Sequence, residues 1–103
     1  MTTAERVFPA DHPAALGHFP GNPIIPGAVL LDETLRAIES GLGASPSSCR
    51  IRSAKFLAPV RPGEHVVIEF SRPGAGAIRF ACLRGGQTVL KGEVAWETAS
   101  TTT

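Results

Sequence analysis

The densest run of prolines and glycines in this chain lies between Ala10 and Pro26, and it limits where regular structure can form. The run holds Pro13, Pro20, Pro23 and Pro26 together with Gly17 and Gly21. Proline fixes φ and has no backbone N–H, so it is excluded from the interior of a helix and from a central strand. We therefore predict a stiff loop here.

A helix is predicted directly after this loop. Pro26 suits the first turn of a helix, and Gly41 and Gly43 supply its stop. Apolar residues then recur at helical spacing, namely Ala28, Leu31, Leu35 and Ile38. These four are predicted to form the buried face, with Asp32 at its edge.

The second half of the chain is predicted to form strands. A surface linker, residues 45–48, precedes alternating apolar and polar residues at Ile51–Leu57, His65–Ser71, Ile78–Leu83 and Thr88–Glu97. Apolar side chains share one face of the third strand (Ile78, Phe80, Cys82) and of the fourth (Leu90, Val94, Trp96), and Gly85 and Gly86 form a hairpin turn between them. One long helix with antiparallel strands indicates an α+β domain in which the helix covers the sheet.

Length and charge narrow the class of protein. The 103 residues have room for one domain, 1–103, whose ends, 1–7 and 98–103, are expected to be frayed. A net charge of +1 without a basic cluster gives no indication of a nucleic-acid partner. No apolar run could span a membrane and no leader is recognised, so a cytoplasmic protein is expected. A chain this short is also expected to dimerise. Cys49 and Cys82 lack metal or redox spacing and are predicted to be small, buried or half-buried apolar residues.

Three groups that can carry chemistry come together at the junction of loop and helix. His18 on the stiff loop is a candidate base, and Asp32 is a candidate acid. Between them, the helix start offers unpaired N–H groups, and Gly27 lets a ligand approach them closely because it has no Cβ. Such donors stabilise an oxygen that gains negative charge.

Simpler interpretations of the same residues stay open. A loop histidine is more often a surface group than a catalyst, and Asp32 can pair with Arg36 one helical turn later. Glu33 is the alternative acid, although it is turned about 100° from Asp32, toward solvent.

The motif that begins at Gly17 has a wider resemblance. Gly17-His18-Phe19-Pro20-Gly21-Asn22-Pro23-Ile24-Ile25-Pro26-Gly27, with an acid fourteen residues after the histidine, resembles the β-hydroxyacyl-acyl-carrier-protein dehydratases of the FabZ and FabA type. Segments 54–64 and 85–93 also resemble that family, so the resemblance covers about residues 8–97. It implies a hotdog fold, in which an antiparallel sheet wraps around one central helix.

The resemblance also implies an assembly and roles for residues. It implies a homodimer, or a dimer-based oligomer, whose sheets join edge to edge and in which His18 of one subunit faces Asp32 of the other. The Gly27 N–H would bind the thioester carbonyl, and the Ile24 carbonyl can orient His18. Phe19, Pro26, Ala28 and Arg36 are the other supporting residues.

The implied reaction is dehydration of a (3R)-3-hydroxyacyl thioester to a trans-2-enoyl thioester. His18 would remove the C2 proton, Gly27 would stabilise the enolate oxygen, and Asp32 would protonate the departing hydroxyl. The substrate would be carried on the phosphopantetheine of acyl carrier protein, and no metal or organic cofactor would be needed. Fatty-acid, polyketide and aryl-polyene type biosynthesis are the pathways in which such relatives occur.

Two departures from the family pattern keep alternatives open. The acid is Asp32, as in the FabA type, where the FabZ type has glutamate. Arg36 lies where the family often has glutamine, and a guanidinium there would hold the acid ionised. The alternatives are a hotdog acyl thioesterase, with Asp32 or Glu33 activating water, and a non-catalytic subunit that binds acyl carrier protein.

Overall fold

The computed structural model describes residues 2–8, 24–42, 46–74 and 76–98. Its elements are β1 (Thr2–Val7), α1 (Gly27–Leu42), β2 (Pro46–Phe56), β3 (His65–Gly74), β4 (Ala77–Arg84) and β5 (Gln87–Thr98). The strands form one antiparallel sheet in the order β1-β3-β4-β5-β2, so β1 and β2 are its edges. The predicted α+β class is confirmed. Among the described residues, no helix is long and apolar enough to cross a membrane.

One face of the sheet carries the core. Its buried side chains alternate along the central strands: Val66, Ile68 and Phe70 in β3, Ile78, Phe80 and Cys82 in β4, and Leu90, Val94 and Trp96 in β5. The alternation predicted for β4 and β5 is confirmed. The predicted hairpin is confirmed too, because Gly85 and Gly86 have φ of 58° and 82°, and a two-residue turn with positive φ at both positions matches the twist of its strands.

The buried face of α1 is not the predicted one. Leu30, Thr34, Ala37 and Ile38 are buried, whereas Leu31 and Leu35 are half-buried and Ala28 is exposed. The reason is Thr34, whose hydroxyl donates to the Leu30 carbonyl at 2.8 Å and lies 3.1 Å from Cys82 Sγ. A buried hydroxyl with partners is tolerated in a core. A prediction from apolar spacing alone counts threonine as polar. The predicted buried face is therefore rotated by roughly a quarter of a turn about the helix axis from the observed one.

The helix begins at Gly27, so Pro26 precedes the first turn and is not part of it. The Pro26 carbonyl accepts hydrogen bonds from the N–H groups of Val29 and Leu30, at 3.0 and 3.1 Å, so Pro26 is the cap before the first turn. At the other end the helix continues through Gly41 to Leu42. The ring of Phe70 packs so closely there that a Cβ on Gly41 would lie 2.6 Å from it.

Two segments predicted to lack regular structure belong to edge strands. Residues 2–7, predicted to be frayed, pair with β3 along their whole length, and Ala4 packs against the core. The mostly polar β1 fits an edge strand, which buries only one face. Pro46–Ser48, predicted to be linker, begins β2, where proline is tolerated at an edge. Thr98 ends β5, and residues 99–103 lie outside the described residues.

Gly92 in β5 provides a test of this packing. A Cβ there would overlap the Ser53 carbonyl oxygen of the paired strand and lie 2.8 Å from the Phe80 ring. Because a backbone carbonyl cannot move without separating β2 from β5, we expect Gly92→Ala to lower the free energy of unfolding by about 1–3 kcal/mol. Urea unfolding measures the effect, and an unchanged midpoint would contradict this packing.

Candidate functional site

The predicted site residues fall into two groups. His18 and Phe19 lie outside the described residues. The others lie before α1 and in its first turns: Ile24, Pro26, Gly27, Ala28, Asp32 and Arg36. Two cavities that share no lining residue border this region.

The first cavity lies at the start of α1, and we call it the helix-start cavity. It has a volume of about 380 Å³ and a largely apolar lining, made by Ile24, Ile25, Gly27, Leu30 and residues 56–60. The Ile25 N–H donates to the Val60 carbonyl at 2.7 Å, and both residues are buried. This bond fixes the position from which the helix starts.

Gly27 places backbone donors at the helix-start cavity. The first N–H groups of a helix have no acceptor within it, and Gly27 is the first helical residue. The Phe56 ring packs against Gly27 so closely that a Cβ would lie 2.9 Å from it. Donors bordering an apolar cavity stabilise a developing oxyanion more strongly than donors in water.

Asp32 borders the second cavity, which we call the acid cavity. This space of about 340 Å³ is lined by Asp32, Leu35, Arg36, Glu39, Cys49 and Trp96. Arg36 Nε donates to the Asp32 carboxylate at 2.8 Å, so the ion pair considered from the sequence is formed. That hydrogen bond raises the pKa of Arg36. The two side chains are 61% and 68% exposed, and an ion pair so open to water contributes little to stability.

Glu33, the alternative acid, borders neither cavity. It forms an ion pair with Arg6 of β1 at 3.1 Å, with both side chains about one third exposed. The expectation that it faces solvent is therefore wrong in part, since it connects α1 to β1. Of these two acids, only Asp32 faces a space that a ligand could occupy.

Three residues of the two cavities received no functional role from the sequence. Phe56 was noted only as part of the segment 54–64 that resembles the dehydratase family. Trp96 was predicted to belong to the apolar face of the last strand, and Cys49 was predicted to be buried or half-buried. Cys49 is exposed instead. Trp96 is buried, and its Nε1 has no hydrogen-bond partner among the described residues. A signal existed for Trp96, because it is the single tryptophan and a buried indole N–H usually has an acceptor.

No three His, Cys, Asp or Glu side chains within the described ranges are grouped so that they could hold a metal ion.

Comparison with known proteins identifies the family. The sequence matches the ApeI-like family, described as ApeI dehydratase, over residues 1–93. The 3-hydroxyacyl-[acyl-carrier-protein] dehydratase FabZ of Chlamydia trachomatis is 34% identical over 106 residues, covering 90% of this chain and 69% of the relative. FabZ of Sodalis glossinidius is 33% identical over 100 residues, covering 84% and 62%. The chain belongs to this FabZ-like dehydratase family.

Solved structures confirm the hotdog fold. The dehydratase heterocomplex ApeI:P from Xenorhabdus doucetiae has a TM-score of 0.74 at 23% identity and covers 91% of this chain and 84% of its own. The (R)-hydratase of A. caviae has a TM-score of 0.69 at 18% identity, covering 94% and 92%. A 1,4-dihydroxy-2-naphthoyl-CoA thioesterase from Synechocystis has a TM-score of 0.64 at 15% identity, covering 89% and 77%. These likenesses establish the fold alone.

The two cysteines differ in accessibility, because Cys49 lines the acid cavity and Cys82 is buried in the core. Burial raises the pKa of Cys82 to about 11 and also raises that of Cys49, which is exposed at the cavity. We expect a disulfide reagent at about pH 8 to modify one thiol per native chain and both after denaturation. The rate at Cys49 should rise with pH, because the thiolate reacts. Cys49→Ser should remove the native reaction, and two fast native thiols would contradict the burial of Cys82.

Proposed function

We propose that this protein dehydrates (3R)-3-hydroxyacyl thioesters, carried on acyl carrier protein, to trans-2-enoyl thioesters. Its family supplies the general class of reaction. The observation that carries the assignment is the start of α1, where Gly27 is the first helical residue, its N–H has no acceptor within the helix, and it lines an apolar cavity. A thioester carbonyl bound there gains negative charge when C2 loses a proton.

Each residue has a defined part in the proposed reaction. His18 takes the C2 proton while the Gly27 N–H stabilises the enolate oxygen, and the Ile24 carbonyl orients the imidazole. Asp32 then gives its proton to the C3 hydroxyl. The C3–O bond breaks, water leaves, and the electron pair from C2 forms the double bond. This chemistry uses no metal or organic cofactor.

Arg36 sets a condition on Asp32. Its Nε donates a hydrogen bond to the Asp32 carboxylate at 2.8 Å and occupies one of the two carboxylate oxygens. Proton donation therefore requires this ion pair to open. Because both side chains are mostly exposed, opening costs little.

The separation of the two cavities supports a site shared by two chains. Gly27 and Asp32 lie on one helix, yet they border cavities with no common lining residue. A dimer would solve this by placing His18 and Gly27 of one subunit opposite Asp32 of the other. The edge strand β2 would join the sheets, and apolar Ile51 and Phe56 are 45% and 50% exposed along it.

The physiological setting belongs to the same proposal. We place the protein in the cytoplasm as a homodimer or dimer-based oligomer that acts on acyl carrier protein in fatty-acid, polyketide or aryl-polyene type biosynthesis. The FabZ relatives are named for acyl-carrier-protein substrates, and the ApeI:P structure is named as a heterocomplex, so both support partners of this kind.

An assay with 3-hydroxyacyl and 2-enoyl thioesters on carrier protein tests the reaction. We expect enoyl absorbance to form with the wild-type protein and to fall at least 100-fold in His18→Ala and Asp32→Asn, about the scale of general acid–base catalysis. Glu33→Gln is the matched control and should keep its activity, because Glu33 borders neither cavity. Release of free thiol that survives His18→Ala would indicate a thioesterase. If the wild-type protein produces neither enoyl product nor free thiol, a non-catalytic subunit would be indicated.

Gly27→Ala distinguishes an effect on activity at the helix-start cavity from an effect on protein stability. The added methyl group meets the Phe56 ring, which is half exposed and can move away. We therefore expect the free energy of unfolding to change by less than about 1 kcal/mol, while the methyl obstructs the thioester at the donors. Enoyl formation should fall about 10- to 100-fold. Unchanged activity would contradict the role of Gly27.

A further inference from the structure

The indole of Trp96 borders the acid cavity and has an unused donor. Trp96 is 3% exposed, and its Nε1 is buried without a hydrogen-bond partner. It is the single buried side-chain nitrogen or oxygen in that state within the part of the chain that the structure describes. Buried donors in folded proteins nearly always have an acceptor, so this exception requires an explanation.

The acid cavity extends away from the reacting atoms. Asp32 and Glu39 both line it and are separated along α1 by about 10 Å, at 1.5 Å of rise per residue. Leu35 lies between them, and Trp96 with its paired neighbour Cys49 forms the opposite wall in the sheet. If the C3 hydroxyl of the substrate is at Asp32, the cavity has the position and length to hold the acyl chain beyond C3.

The Trp96 indole in the wall of the acid cavity can then distinguish an alkyl chain from a chain that carries an oxygen atom. An alkyl chain against the indole leaves the N–H without an acceptor, as it is in the protein without ligand, so binding gains no hydrogen bond. An oxygen atom at the same place accepts the hydrogen bond. Because Nε1 is itself buried, the ring has to turn toward the entering acceptor, and changes of side-chain rotamer are common on binding.

We propose that the Trp96 N–H donates a hydrogen bond to a hydroxyl, ether or carbonyl oxygen in the distal part of the acyl chain. Trp96 is then a specificity-determining residue that favours oxygen-bearing acyl groups over saturated chains of the same length. The inference rests on the proposed function, in which an acyl thioester is the substrate.

Binding of two matched ligands to this protein tests this directly. The probes are stable acyl-pantetheine amides, one with an alkyl chain and one with a single CH₂ replaced by an ether oxygen. Trp96 is the sole tryptophan, so its indole gives one ¹H–¹⁵N signal. We expect the ether to shift this signal downfield, and its affinity relative to the alkyl probe to fall about tenfold in Trp96→Phe, which keeps the ring and lacks the donor.

A second series of probes uses only the wild-type protein, so the test does not depend on whether Trp96→Phe folds. Moving the ether oxygen along the chain should improve binding to the wild-type protein at one position only. Equal preference at every position, or an indole signal that never moves, would overturn the proposal. Dehydration of acyl substrates without any oxygen preference would refute this inference alone. Oxygen preference without dehydration would support it and refute the proposed reaction.

Discussion

The start of α1 is held against the segment that follows β2 by the backbone hydrogen bond from Ile25 to Val60. Both residues are buried, so the bond is shielded from water and fixes where the helix begins. Gly27 follows two residues later, and its closeness to the Phe56 ring depends on that position. The donors at the helix-start cavity therefore depend on a contact made outside the helix, between the end of one loop and the segment after β2.

The acidic side of the candidate site is organised differently. Asp32 and Arg36 are exposed and paired with each other, whereas Gly27 is positioned by the backbone at the start of α1. In a single chain these two halves face separate cavities. Fixed donors on one side and an exposed acid on the other suit a site that a second subunit completes, because neither cavity of a single chain holds both groups.

Much of the fold could be predicted because its signals are local. Alternation fixed the inward residues of β4 and β5, and the two adjacent glycines fixed the hairpin. The buried face of α1 could not be predicted in the same way, since Thr34 enters the core through partners that only the folded chain provides. β1 escaped prediction because an edge strand needs few apolar residues. For the site, residue types indicated Gly27 and Asp32, but the separate cavities and the unused donor of Trp96 are properties of packing.

Mixing two inactive variants tests whether one active site takes residues from two chains. His18→Ala and Asp32→Asn proteins are unfolded together, refolded, and assayed for enoyl formation. If each site combines His18 of one subunit with Asp32 of the other, mixed dimers contain one intact site, and about a quarter of wild-type activity should return. If both residues act within the same chain, every site in the mixture stays defective, and the absence of recovered activity would contradict the account.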